Sequence, residues 1–246
     1  MCNLYAIMMA RAEAAKLAKA LIDRNNNQPP LPGVFPGYMA PVIRAGADGQ
    51  REMVDVQWGL PTSSEVLFKA ASARADKLRV KGKPVEFDEL LRLEPDKGTT
   101  NVRNTNSRHW KRWLGVENRC LVPFTSFSEP DQVGGTLQPV WYALSEDRPL
   151  AFFAGIWVPQ WTSVHLVREG PVTRDLFGFL TTEPNAEVAR HHAKAMPVIL
   201  TTPDDCEAWM TAAWDGAKAL QRPLPDGTLA IVGRGERQDA GQPVLI

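Results

Sequence analysis

The chain reads as an α+β protein: a single domain built on an antiparallel, barrel-like β-sheet with peripheral helices. Three observations predict this. Strand-like and helix-like segments are interspersed without the regular βαβ rhythm of a doubly wound sheet. Two apolar runs flank the turn signal Asp48-Gly49, the pattern of an antiparallel hairpin. The 246 residues, 44% apolar and 23% charged, have an ordinary globular composition and can bury a sizeable core. No repeat, low-complexity tract or linker divides the chain. Residues 1–246 are therefore read as one domain, with 62–98 as a surface insertion.

The elements follow in order. Residues 11–24 predict a helix: Ala12, Ala15, Leu17, Ala18, Leu21 and Ile22 form an apolar stripe, with Arg11, Lys16, Lys19 and Arg24 mainly opposite. Asn25-Asn26-Asn27 and the prolines at 29, 30 and 32 stop it. The proline-punctuated segment 35–43 is extended, and Val42-Ile43 pairs across Asp48-Gly49 with Met53–Trp58. Residues 64–80 and 86–93 are helical, and 105–114 form a brief helix closed by Gly115. Strands are expected at 120–123, 140–144, 150–157, 176–180 and 197–200, and helices at 184–193 and 203–214. Asp204 or a nearby threonine caps the last helix.

Composition excludes several classes. Three scattered cysteines form neither a disulfide framework nor a zinc site, and the four histidines give no metal-ligand pattern, so a reduced compartment and no metal or other cofactor are expected. No signal peptide is visible, and no apolar stretch approaches ~20 residues, so no membrane span is expected. Net charge is zero, but the cations cluster. Residues 69–83 carry Lys69, Arg74, Lys77, Arg79, Lys81 and Lys83 against Asp76. Residues 103–119 carry Arg103, Arg108, Lys111, Arg112 and Arg119 against Glu117. Such runs are either solvated helix faces or a local cationic surface that attracts nucleic acid.

Cys2 stands directly behind the initiator methionine. If Met1 is removed, one residue carries a thiol and a free amine on adjacent carbons, titrating near ~8.5 and ~8. A 1,2-aminothiol condenses with an aldehyde to an imine and then closes a thiazolidine ring. It can also act as an N-terminal nucleophile with the amine as base. The plain alternative is an accident of the start codon. Three further segments supply partners. These are the polar run Thr100–Thr105, the segment Arg119–Pro130 ending in Glu129, and His191-His192 ahead of a strand. Nucleophile, amide, carboxylate and imidazole are the parts of covalent chemistry with proton transfer. Each has a bland alternative: Asn101 as a helix cap, Glu129 as a loop charge, His192 as an exposed histidine. Trp110 and Trp113 lie beside Arg108, Lys111 and Arg112, placed either to stack on bases or to fill the core.

Taken in order, these segments resemble the SOS response-associated peptidase family, which includes abasic-site processing proteins. The resemblance spans essentially the whole chain. It rests on Met1-Cys2, Ala40-Pro41, Trp58-Gly59, Asn101-Val102-Arg103, Arg119-Cys120-Leu121-Val122-Pro123 leading to Glu129, Ala154-Gly155-Ile156-Trp157, and His192 ahead of Met196-Pro197. It implies a protein that scans single-stranded DNA and captures abasic sites as a thiazolidine crosslink through Cys2. By the same resemblance Asn101 positions the cysteine, Arg103 contacts phosphate, Glu129 is the acid–base carboxylate, and His192 assists proton transfer and reversal. Arg108, Lys111, Arg112 and Trp110 are the further expected DNA contacts. The expected partner is single-stranded DNA containing abasic sites, with no membrane, and the protein is expected as a cytoplasmic, nucleoid-associated monomer. The family's name points to a second reading, an N-terminal-cysteine peptidase or amidohydrolase. A third is a non-enzymatic single-strand binder. Asn3-Leu4 after Cys2 and Pro130 after Glu129 depart from the common family pattern, as does Lys194-Ala195 before Met196.

Overall fold

The computed structural model describes residues 2–20, 22–23 and 29–241. In chain order the first elements are β1 (Leu4–Ile7), α1 (Arg11–Leu17), β2 (Ile22–Asp23), β3 (Leu31–Val34), β4 (Met39–Ala45) and β5 (Arg51–Trp58). Next come α2 (Ser64–Val80), α3 (Phe87–Arg92), β6 (Asn101–Val102), α4 (Arg108–Lys111), β7 (Arg119–Phe124), β8 (Ser126–Pro130) and β9 (Pro139–Ala143). The chain continues through β10 (Ala151–Val164), β11 (Pro171–Thr182), α5 (Ala186–Ala189), β12 (Met196–Pro197) and β13 (Ile199–Leu200). It ends in α6 (Pro203–Thr211), α7 (Trp214–Lys218) and β14 (Ala230–Arg234).

Two sheets organise the α+β domain. β5, β4, β7, β10 and β11 pair successively as antiparallel neighbours. β11 then returns to β5 through a short parallel seam, Leu176 opposite Gln57 and Phe177 opposite Trp58. The five strands thereby close into a barrel. The second sheet is antiparallel, in the order β14-β9-β8-β1-β3. The main core is shared between them. Tyr5, Phe127 and Tyr142 of the second sheet pack with Val42, Trp58, Val122, Phe153 and Phe179 of the barrel. The outward barrel residues Leu121, Ala154 and Ile156 are covered by α1 and α6. Both faces of β7 and of the first half of β10 are therefore buried. This is why those stretches are continuously apolar rather than alternating.

Two motifs of the sequence have a packing role here. Cys120 on β7 lies opposite Gly155 on β10, and the Trp209 indole N–H donates to both their carbonyls, at 3.0 and 3.1 Å. A Cβ on Gly155 would sit 2.7 Å from Cys120 Sγ and from Val122 Cγ2, so only glycine fits. Arg119 is buried and donates to the carbonyls of Leu114, Trp209 and Ala212 at 3.0, 3.0 and 2.7 Å, tying α6 to the barrel.

The hairpin β4–β5 and the helix α2 lie where the sequence placed them. Several expected elements differ. The first helix stops at Leu17, because Lys19 turns to positive φ (54°) and Ile22-Asp23 leave it to pair with β5. Leu21 and residues 24–28 lie outside the described residues. Arg11 is not on the solvent side: it is buried and paired to Asp23 at 2.7 Å and Asp55 at 2.6 Å. The helix expected over 105–114 shrinks to Arg108–Lys111, since Trp113 and Leu114 turn into the outer core. The helix at 184–193 shrinks to Ala186–Ala189, and the one at 203–214 divides at Ala212, leaving Trp214 on α7. β10 and β11 run well past their apolar parts, joined across a bulge near Gln160 (φ 47°). The cationic run at 69–83 is partly neutralised by Lys69–Glu65 at 2.6 Å, Arg79–Asp76 at 2.9 Å and Arg74–Glu94 at 3.2 Å. Among the described residues no helix is long and apolar enough to cross a membrane.

Candidate active site

The site forms where the N-terminus, the second sheet and the barrel rim meet. β1 pairs with β8 antiparallel, Leu4 opposite Ser128, so the residues just before Leu4 run alongside Glu129. This register alone brings Cys2 to the carboxylate. Asn101 arrives from the other side. β6 is an edge strand parallel to β11, with Asn101 opposite Phe179. The Trp58 indole N–H holds the preceding carbonyl of Thr100 at 3.1 Å. A close crossing of Gly98 over Gly59 makes this approach feasible, since a Cβ on Gly98 would lie 2.7 Å from the Gly59 Cα. His192 follows the short α5, its N–H donating to Val188 O at 2.8 Å, and precedes β12, which is pinned to β11.

The contacts are specific. Asn101 Nδ2 donates to the Cys2 carbonyl at 2.8 Å and to Thr100 Oγ1 at 2.6 Å. The Thr100 hydroxyl in turn donates to Asn3 Oδ1 at 3.1 Å. Cys2 Sγ points at the Leu4 carbonyl, 3.5 Å away. His192 Nδ1 lies 3.0 Å from the Ala195 carbonyl and 3.6 Å from Glu129 Oε2. A carbonyl can only accept, so Nδ1 carries the proton and Nε2 is the basic nitrogen. Cys2, Glu129 and His192 are all fully buried.

Burial sets the electrostatics. It raises the Glu129 carboxyl from its ordinary value near 4.5 to about 8. It pushes the Cys2 thiol well up, and the Glu129 charge pushes it further. It lowers His192. Near neutral pH the site therefore holds a protonated carboxylic acid, a neutral imidazole and a neutral thiol. Such a carboxylic acid can deliver a proton and take one back within a pH unit of neutrality, which suits acid–base chemistry. Cys120 and Cys206 are buried elsewhere, and burial raises both thiols. Among the described residues no cluster of three or more His, Cys, Asp or Glu is arranged for a metal ion.

The structure thus gathers Cys2, Asn101, Glu129 and His192 into one buried cluster. Of the two adjacent histidines it is His192 that meets Glu129. His191 turns outward, with Nδ1 3.2 Å from Asp131 and Nε2 3.2 Å from an Arg234 nitrogen. The cationic positions lie apart from this buried cluster. Arg103 is two residues beyond Asn101, exposed, and paired with Glu183 at 3.1 Å. Arg108, Lys111 and Arg112 are exposed on or beside α4. The Arg112 guanidinium lies 3.8 Å over the ring of Trp113, which is buried. Trp110 is half-buried and edge-on to His109 at 4.4 Å between centroids. Sequence reasoning gave no role to Thr100, Asn3 or the Asp131–His191–Arg234 rim. It also missed two buried tyrosines, Tyr5 and Tyr142. The β1–β8 pairing that assembles these groups has no local sequence signal, and none pointed to them.

Comparison with known proteins agrees with this architecture. The family model for SOS response associated peptidase (SRAP) matches residues 1–232. The chain belongs to that family. A solved structure of a protein from Bordetella bronchiseptica is similar, with a TM-score of 0.61 at 22% identity, covering 93% of this chain and 97% of that one. One from Bacteroides thetaiotaomicron has a TM-score of 0.62 at 17% identity, covering 93% and 90%. A phage-related protein from Bordetella bronchiseptica has a TM-score of 0.59 at 17% identity, covering 98% and 100%. At these identities the likeness establishes the shared fold. No curated protein matches the chain.

Proposed function

We propose that this protein captures abasic sites in single-stranded DNA as a covalent thiazolidine through Cys2, after Met1 is removed. The observation that carries the reading is the contact set around Cys2. Its carbonyl is held by Asn101, and the buried pair Glu129–His192 stands beside it. The chemistry balances without a cofactor. The Cys2 amine attacks the aldehyde carbon of the ring-opened sugar, giving a carbinolamine. Protonated Glu129 donates to the departing hydroxyl, water leaves as the iminium forms, and the nitrogen proton returns to the Glu129 carboxylate to leave the imine. The thiol sulfur then adds to the imine carbon while its proton ends on nitrogen. One water is released overall.

The same site bears on the peptidase alternative. A thiolate–imidazole protease needs its thiol lowered by a neighbouring cation. Here the largest influence on Cys2, burial, raises it. A neutral thiol closing a ring onto a tethered imine has no such requirement. Exposed Arg103, Arg108, Lys111 and Arg112 offer the sequence-independent phosphate contacts that a scanning protein needs.

The test is Cys2→Ser with a single-stranded oligonucleotide carrying one abasic site. Serine keeps the amine but closes the ring poorly. We expect wild type to give a heat-stable adduct. The variant should give only an imine that borohydride must trap. A heat-stable adduct of equal yield from Cys2→Ser would remove the thiol from the mechanism.

A further inference from the structure

Tyr142 is a buried residue with no evident structural reason for its hydroxyl. Its ring stacks on Phe127, 5.5 Å between centroids, and its hydroxyl is buried with no hydrogen-bond partner among the described residues. Leaving a buried hydroxyl unsatisfied costs about 1–3 kcal/mol, and phenylalanine would avoid that cost. Native proteins leave few such groups, and the exceptions call for an explanation.

Its place in the sheet supplies one. On β8 and β9, Phe127 lies opposite Tyr142 and Glu129 opposite Val140. Phe127 and Glu129 are two residues apart on one strand and so share a face, which Tyr142 and Val140 also share. Glu129 and Tyr142 are thus diagonal same-face neighbours. That separation is about 7–8 Å at the backbone, within reach of long side chains. The charged groups that bear on the Tyr142 hydroxyl are Glu129, Arg234, Asp131 and Glu187. The hydroxyl is thus within electrostatic reach of Glu129 and of the Asp131–Arg234 rim. Burial, with the Glu129 charge second, holds it well above its ordinary titration range. It is thus a permanent donor rather than a base. Tyr5, whose hydroxyl also lacks a partner among the described residues, is boxed by Trp58, Phe153 and Phe179, and the groups that bear on it are the Cys2 and Cys120 thiols rather than Glu129.

We propose that the Tyr142 hydroxyl is a further catalytic group. It donates a hydrogen bond to the aldehyde oxygen as the Cys2 amine attacks. It then holds the carbinolamine hydroxyl beside Glu129, which protonates it for departure as water. The tyrosine keeps its own proton throughout. An oriented donor at an oxygen that gains negative charge is the arrangement that accelerates carbonyl additions. The inference rests on the crosslinking reading above and specifies how that site handles the aldehyde.

The experiment is Tyr142→Phe against wild type, using a single-stranded oligonucleotide with one abasic site. Single-turnover crosslinking is followed across pH, affinity for the intact strand by anisotropy, and stability by thermal unfolding. We expect crosslinking slowed by about tenfold or more, at unchanged affinity and an unchanged pH inflection, with Tm equal or higher. Wild-type rates in Tyr142→Phe would overturn the proposal. So would a moved pH inflection, which would mean that tyrosine acts through Glu129 rather than on substrate. A parallel loss of affinity would likewise overturn it, in favour of a DNA contact. If wild type itself forms no adduct, the crosslinking reading falls, and this inference with it.

Discussion

Glu129→Gln gives the site a test that needs no substrate. Glutamine keeps the volume and hydrogen-bonding character of the protonated acid but cannot ionise. Burial raises the Glu129 carboxyl from near 4.5 to about 8. Between those values the folded state holds a proton that the unfolded chain has released. Folding stability must then fall as pH rises through this window, and level off above it. At about 1.4 kcal/mol per pH unit the full displacement corresponds to on the order of 5 kcal/mol. Relaxation around the charge reduces this to a few kcal/mol, still a large share of a typical ~5–15 kcal/mol total. The assay is urea unfolding at intervals from pH 5 to 9 for wild type and Glu129→Gln. The difference between the two profiles isolates this carboxyl from the titrations that are not coupled to it. We expect the variant to gain stability relative to wild type steadily as pH rises, by a few kcal/mol at pH 9. Parallel profiles would mean an ordinary carboxylate, and the acid role assigned to Glu129 would fail.

Two further outcomes concern the surface. Arg103→Ala should weaken intact and abasic single strands alike and flatten the salt dependence of binding by a slope of about 0.7, one phosphate contact. Unchanged binding across a salt titration would leave Arg103 as the partner of Glu183 alone. Glu183→Gln releases that arginine, which it now holds at 3.1 Å, and removes a negative charge. Its affinity for single strands at low salt should rise, and a fall would reverse the assignment.

The local features were the legible ones. The β4–β5 hairpin could be read because two apolar runs flank Asp48-Gly49, and Gly49 takes the positive φ (78°) that the turn requires. Helix α2 could be read over its full length, and Ser63 caps its start through the Val66 N–H. What failed was non-local. β1 was not anticipated, because Leu4–Ile7 is buried on both faces and lacks alternation. Its pairing with β8, across more than a hundred residues, is what brings Cys2 to Glu129. The helix expected at 184–193 ends early because His192 must turn inward, and nothing in residues 184–193 records that demand. Trp113 joins the core while Trp110 stays half-buried, a division their helical spacing could not decide. The candidate site residues were chosen from a pattern of short motifs in order. The geometry adds why they belong together: one register, one edge strand and one broken helix converge on the N-terminus.

Intact mass of the protein after incubation with abasic single-stranded DNA tests the central claim most directly. The account predicts a starting chain that lacks Met1. It also predicts one adduct heavier by the oligonucleotide less one water, with the link at Cys2 after digestion. A chain that retains Met1 and still forms the full adduct would contradict it, because an amide nitrogen cannot form the imine. So would an adduct attached at any other residue.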